Sequence, residues 1–146
     1  MFDRFASGAR TTVTAAGKEA CAAGVTAIEA EHLLLALSRR PEIRAFGLDH
    51  DEIVEALAVE EERSLAAVGI DRSQYDLTGS AQRDATKLGT SAKLAIERAV
   101  KVTAKRGQRR LTGLHLLLGV IGAEHGRVPR ALKIAGIDVY ELRARL

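Results

Sequence analysis

A seven-residue string in the first third of the chain returns, in closely similar form, in the last third. Residues 31–37 read EHLLLAL, and 83 positions later residues 114–120 read LHLLLGV. The same offset joins further positions of like chemistry: Ala9 with Ala92, Ala16 with Ala99, and Gly24 with Gly107. One unit of sequence is therefore present twice, and two copies are too few for a long solenoid. We expect two helical halves that pack together about a pseudo-two-fold axis.

Length and composition limit what these halves can build. A chain of 146 residues is the size of one domain, and it is 47% hydrophobic but only 3% aromatic. A core of Leu, Ala, Val and Ile suits closely packed helices. A single cysteine excludes a disulfide within the chain and a cysteine-based zinc site. No long apolar stretch and no apolar leader are evident, so a cytoplasmic protein without a membrane span is the default expectation.

The spacing of apolar residues predicts an all-α domain of eight helical segments, four in each half, and no strands. In repeat one, about 1–68, the predicted segments are 4–23, 30–39, 43–46 and 49–68. In repeat two, about 89–146, they are 92–106, 114–121, a short helix from Pro129 to Gly136, and a last helix capped by Asp138. Turn residues at about 69–88 predict a connecting loop, with a helical turn over 81–87. The acidic run 60–62 is predicted to form a solvated helix face.

The opening residues Met1-Phe2-Asp3-Arg4-Phe5, followed by Ala9-Arg10 and the two tandem strings, resemble the N-terminal domain of ClpC/ClpA-type protein-unfolding ATPases. In that family each of two repeats carries a Gly-Thr-Glu-His-Ile-Leu-Leu-Gly-Leu motif. The resemblance covers nearly the whole chain and is weakest in the middle loop. It implies an all-helical module that binds substrates and adaptors of a Clp unfoldase, with no cofactor and no catalytic activity of its own.

No phosphate-binding loop accompanies this resemblance. Gly17-Lys18 is followed by Glu19, and the Gly-x-x-x-x-Gly-Lys-Ser/Thr string that cradles ATP phosphates is missing. The chain is therefore not expected to be an ATPase by itself. Two interpretations stay open, a free-standing relative of the domain that acts as a decoy or adaptor, and a piece of a longer ATPase.

Some members of the family recognise phosphorylated arginine through an acidic residue in each motif. A carboxylate can accept the planar fork of guanidinium donors, and Glu31 keeps that acidic position in repeat one. The matching position in repeat two is Leu114, which accepts no hydrogen bond. The preceding Gly-Thr is also changed, to Glu29-Ala30 in repeat one, where Glu29 would repel a phosphate. At most one such site is predicted to survive.

Actinobacterial members also bind cyclic peptide antibiotics across the first helices of both repeats. The family positions for that groove fall on Phe2, Arg10, Leu88, Lys93 and Glu97. Four of them match in type, whereas Leu88 replaces a family Phe and weakens ring stacking. The same groove suits natural peptides or adaptor proteins.

Three single residues have a structural and a functional interpretation. His32 and His115 are predicted to be packed, hydrogen-bonded histidines at helix starts, because no carboxylate or cysteine pattern supports a metal site. Cys21 is predicted to be a small buried hydrophobe, since a reactive thiol needs an activating partner.

Basic residues cluster around one predicted helix end, at Lys101, Lys105, Arg106, Arg109 and Arg110. Complementation of the helix dipole, together with a solvated helix face, explains them best. The alternative hypothesis for the whole chain is a small basic helical protein that binds nucleic acid or an acidic protein partner. No serine lies in a nucleophile elbow and no acidic pair stands out, so we expect no enzymatic activity. Together with this, the resemblance implies a peptide- or adaptor-binding protein.

Overall fold

The computed structural model describes residues 2–71 and 83–146, with Phe2 described by its backbone alone. Within these ranges, a 3-10 helix at Phe2–Arg4 precedes eight α-helices. They are α1 (Ser7–Ala22), α2 (Ala30–Ser38), α3 (Pro41–Arg44), α4 (His50–Ala67), α5 (Thr90–Lys105), α6 (Gly113–Ile121), α7 (Arg127–Ile134) and α8 (Val139–Arg145). Two short strands, β1 (Ala27–Ile28) and β2 (Lys87–Leu88), pair in parallel.

The predicted all-α fold class is confirmed, and so is the pattern of four helices on each side of the connection. Helices α1 and α5 both have 16 residues, and helices α2 and α6 both have 9. Helices α5 and α6 each begin 83 positions after their counterparts, at Thr90 after Ser7 and at Gly113 after Ala30. The sequence repeat is thus a repeat of structure for the first two helices of each half.

Three local predictions need correction. The sequence predicts no strands, but β1 and β2 are two-residue strands, which helical periodicity does not reveal. Part of the helical turn predicted over 81–87 lies outside the described residues, while 83–86 is not helical and Lys87 belongs to β2. Helix α7 begins at Arg127, two residues before Pro129, because Gly126 with φ 113° starts it earlier.

Two parallel bridges join the halves. The 83-residue offset relates the two residues of one bridge to the two residues of the other, with the partners exchanged. Ile28 of β1 pairs with Leu88 of β2, and Phe5 pairs with Leu111. Leu88 lies 83 positions after Phe5, and Leu111 lies 83 positions after Ile28. Equivalent amides close both bridges: Gly89 N donates to Ile28 O at 2.7 Å, and Ala6 N donates to Leu111 O at 2.8 Å. Such an exchange of contacts is what a pseudo-two-fold axis produces.

The core forms around α2 and α6, the two leucine-rich helices. Every residue of α2 is buried, and α6 leaves only Leu114 partly exposed. Full burial of a leucine contributes roughly 1.5–3 kcal/mol, so these two helices supply much of the hydrophobic stabilisation. Helix α6 packs closely on α5, because a Cβ at Gly119 would lie only 2.2 Å from the Ala95 carbonyl oxygen. Both helices are therefore central and buried.

The ends of the outer helices follow from local chemistry. Gly24 and Gly107, at φ 75° and 68°, adopt the left-handed conformation just after α1 and α5. Asp49 caps α4 by accepting the Glu52 amide at 3.0 Å, as the sequence predicts. Asp138 caps α8 through the Tyr140 and Glu141 amides. Across 2–71 and 83–146, no helix combines the length and the apolar character that a membrane span requires.

Candidate functional site

The five predicted groove residues lie on four elements. Arg10 is exposed on α1, and Lys93 and Glu97 are exposed one turn apart on α5. Leu88 is half-buried in β2. Phe2 lies in the 3-10 helix, and its side chain is outside the described residues. Arg10 and Lys93 are equivalent under the repeat, so each half presents a cation on its first helix.

A cavity of about 490 Å³ adjoins this surface. Ile96 and Val100 of α5 give it an apolar side, and its other lining residues are Asp3, Arg4, Glu97 and Lys101. Of the predicted groove residues with described side chains, Glu97 lines this cavity, whereas Arg10, Leu88 and Lys93 lie outside it. The cavity offers room for an apolar side chain beside mixed charges.

Glu31, the predicted acidic position, already holds a guanidinium from the other half of the chain. Its side chain is only 10% exposed, and its Oε1 lies 3.3 Å from Nη1 of Arg127. Arg127 also donates through Nε to Glu60 at 2.9 Å and through Nη2 to the Leu57 carbonyl at 3.3 Å. The carboxylate that could bind an arginine of a partner is therefore satisfied within the molecule.

Glu60 lies at the centre of an ion-pair cluster with Arg127 and Arg130. The prediction that Glu60 is solvated is wrong. Its side chain is 3% exposed, and it accepts hydrogen bonds from Ser64, Arg127 and Arg130. Burial raises the pKa of Glu60, but the hydrogen bonds from Ser64, Arg130 and Arg127 outweigh it and hold the pKa below its ordinary value. Helix α7 covers this face of α4, which is why the acidic run is not uniformly solvated.

A signal for the burial of Glu60 is present in the sequence. Ile53, Leu57 and Glu60 follow one another at spacings of four and three, so Glu60 extends the apolar stripe of its own helix. Arg127 carries no comparable signal, since its partners lie 67 and 96 positions earlier in the chain.

Glu29 fills a structural role that its position in the motif does not suggest. Its carboxylate accepts hydrogen bonds from the backbone amide of Ser91, at 3.2 Å, and from the Ser91 hydroxyl. The Ser91 hydroxyl in turn accepts the Ala30 amide at 2.8 Å. Glu29 therefore ties the start of α2 to the first turn of α5, where a negative charge is favourable.

Two further cavities flank Glu29 and Glu31. One, of about 400 Å³, opens between α5 and the loop before α7. The other, of about 600 Å³, opens between α4 and the loop after α1, where Val25 and Val54 are more than 40% exposed. Arg127 lines both cavities. The periodicity of the sequence does not predict either cavity, because a loop forms one side of each.

The two histidines have the packed, helix-start role that the sequence predicts. Nδ1 of His32 accepts the Glu29 amide at 2.8 Å, and Nδ1 of His115 accepts the Thr112 amide at 2.9 Å. Burial lowers the pKa of both imidazoles, and Arg106 lowers that of His115 further. For His32, Glu31 opposes the effect of burial and Arg127 adds to it. Both shifts favour the neutral form of the ring.

The prediction for Cys21 needs correction. Cys21 is half-buried near the end of α1 instead of fully buried. Over the described ranges, no group of three or more His, Cys, Asp or Glu side chains is arranged to hold a metal ion.

Two solved structures share this architecture over nearly their whole length. The N-terminal domain of the caseinolytic protease associated chaperone ClpD from Arabidopsis thaliana matches with a TM-score of 0.74 at 24% identity, over 99% of this chain and 95% of that chain. This chain has the fold of a Clp N-terminal domain. The Hsp104 N-terminal domain from Candida albicans matches with a TM-score of 0.67 at 14% identity, over 98% of this chain and 89% of that chain. No protein-family model and no curated protein sequence matches.

The Clp N-terminal fold explains why the His-Leu-Leu-Leu residues recur in both halves although neighbouring positions differ. In both halves the His-Leu-Leu-Leu core is buried and the histidine caps its own helix, so packing alone retains these residues. The position before this core differs between the halves, with Glu31 in one and Leu114 in the other.

Proposed function

We propose that this domain is a non-enzymatic recognition module of a Clp-type unfoldase system, which binds peptides, protein substrates or adaptors on the surface formed by α1 and α5. The likeness of the whole chain to the N-terminal domains of ClpD and Hsp104 carries this proposal. The exposed cations Arg10 and Lys93, with the apolar cavity beside Glu97, provide polar and apolar contacts for an extended ligand.

Cyclic peptide antibiotics are one ligand class that we propose for this surface. The predicted contact set is Phe2, Arg10, Leu88, Lys93 and Glu97. Calorimetric titration with a cyclic peptide that binds Clp N-terminal domains tests it directly. We expect heat of binding for the wild-type domain and a loss of roughly tenfold or more in affinity when Lys93 and Glu97 are both changed to alanine, about 1.4 kcal/mol.

A matched control separates a local effect from a general loss of charge. Lys133→Ala with Glu62→Ala removes one cation and one carboxylate at exposed positions on α7 and α4. This control should bind as the wild type does. The antibiotic proposal fails if a folded wild-type domain gives no heat, or if the control loses as much affinity as the groove variant.

Phosphoarginine binding at Glu31 is not part of this proposal. Arg127 already neutralises the Glu31 carboxylate, and Glu29 adds a second negative charge nearby. A phosphorylated arginine would have to displace Arg127 and tolerate the negative charge of Glu29. Both requirements weaken its binding.

The role of the module in proteolysis can be tested with a purified Clp unfoldase, its protease and a labelled client. As a decoy, the domain slows degradation by holding peptides or adaptors away from the unfoldase. As an adaptor, it accelerates degradation of the clients that it binds. Degradation unchanged over a wide range of domain concentrations would count against both roles.

A further inference from the structure

The end of α5 carries a concentration of positive charge. We call the exposed residues Lys101, Lys105, Arg106, Arg109 and Arg110 the basic ridge. Arg106 donates to the Leu146 carbonyl at 3.3 Å. Within 2–71 and 83–146, no Asp or Glu side chain forms an ion pair with any member of the ridge.

The helix dipole explains only part of this charge. Lys105 lies in the last turn of α5, where a cation is favourable. Arg109 and Arg110 lie beyond the end of the helix, so the dipole, which acts within the last turn, contributes little to them. Like charges placed close together repel one another, and a partner of opposite charge would relieve that repulsion.

The ridge borders the apolar cavity beside Glu97. The Leu111 amide donates to the Arg4 carbonyl at 2.9 Å, which places Arg110 beside Arg4. Arg4 and Lys101 both line the cavity, together with Ile96 and Val100. A ligand that follows the ridge therefore reaches a cavity of about 490 Å³ with an apolar side.

We infer that the basic ridge and this cavity bind an acidic polypeptide segment, with one apolar side chain in the cavity and carboxylates along the ridge. The inference rests on the proposed peptide-binding function and names the chemistry of the partner. Electrostatic complementarity of this kind selects the partner and speeds its association.

Nucleic acid fits the same surface less well. The ridge contains no aromatic side chain on which a base could stack. The apolar side given by Ile96 and Val100 is better matched by a peptide side chain than by a sugar-phosphate backbone.

A fluorescent peptide with aspartates and glutamates on both sides of a single leucine tests the inference by anisotropy. We expect saturable binding that weakens at least tenfold in the Arg109→Glu, Arg110→Glu variant and as salt rises from 50 to 300 mM. Val100→Asp, at a position already 37% exposed, should also weaken binding. Lys133→Glu is the matched charge reversal outside the ridge and should bind as the wild type does, with circular dichroism showing that each variant is folded.

The outcomes separate this inference from the proposed function. Equal affinity for the acidic peptide in the wild type and the Arg109, Arg110 variant overturns the inference, as does tighter binding of a DNA duplex than of the peptide. If the cyclic peptide binds the wild type but the acidic peptide does not, the proposed function stands and the inference is wrong. If the ridge variant loses the acidic peptide and keeps the cyclic peptide, two distinct subsites are established.

Discussion

Replacing Glu60 with glutamine tests how strongly the two halves are held together through α4 and α7. In the wild type, Oε2 of Glu60 lies 2.9 Å from Nε of Arg127, and Oε1 lies 2.9 Å from Nη2 of Arg130. Oε1 also accepts the Ser64 hydroxyl at 2.8 Å. Glutamine keeps the size of the side chain, but its amide nitrogen faces one of the two guanidinium groups as donor against donor.

The expected magnitude follows from burial. Breaking a fully buried ion pair costs about 3–5 kcal/mol, and a hydrogen bond to a charged group is worth roughly 1.5–3 kcal/mol. Glu60 is 3% exposed, but Arg127 and Arg130 are 35% and 57% exposed, so water compensates part of their loss. We expect Glu60→Gln to lower the free energy of unfolding by about 2–3 kcal/mol, a decrease of roughly 5–10 °C in Tm for a domain of this size.

Urea and thermal unfolding followed by circular dichroism at pH 7 measure this loss. Glu62→Gln removes the same charge from an exposed position of α4 and should change stability by less than about 0.5 kcal/mol. The pKa of Glu60 is lowered in the folded state, so its contribution is present above pH 4.5 and disappears as pH falls through the folded pKa. If Glu60→Gln and Glu62→Gln unfold alike at pH 7, the network does not join the halves as we describe.

Two further predictions concern the core and the histidines. Gly119→Ala should destabilise the domain by about 1–2 kcal/mol, because its Cβ would lie 2.2 Å from the Ala95 carbonyl oxygen and overpack α5 against α6. An alanine in a helix ordinarily stabilises by up to about 1 kcal/mol, so a gain in stability on urea unfolding would refute the close packing. The lowered pKa values of His32 and His115 mean that the unfolded chain takes up protons first as pH falls below 6.5, so stability should decrease from pH 7.5 to 5.5. Changing both histidines to glutamine should flatten that pH dependence, and an unaltered slope would show that other groups cause it.

Much of the helical framework could be predicted from local sequence patterns. The apolar spacing and caps place α1, α2, α4, α5, α6 and α8 within a few residues, since these helices have clear stripes and turn residues at their ends. The strands β1 and β2 could not be predicted, because two-residue strands have no periodicity and form only when the halves meet. The start of α7 at Arg127 is not predicted either, because Pro129 suggests a later first turn.

The candidate site also combines features that the sequence predicts with features that it does not. Exposure of Lys93 and Glu97 on α5 follows from helix periodicity, and the structure places both on that face. The cavity beside Glu97 could not be predicted, since residues about ninety positions apart, Asp3 and Lys101 among them, line it. Whether these residues bind a peptide stays a prediction for the titrations above.

By itself, the sequence determined that this chain is built from two copies of one helical unit, because a repeat at constant offset and the period of its apolar residues are properties of the chain. It also determined which helices are central, through the uninterrupted leucines of α2 and α6. Only the tertiary structure decided that Glu60 is buried, that Arg127 neutralises Glu31, and that the basic ridge meets an apolar cavity. The physical reason is that charge, desolvation and cavity shape depend on groups distant in sequence, which come together only when the two halves pack.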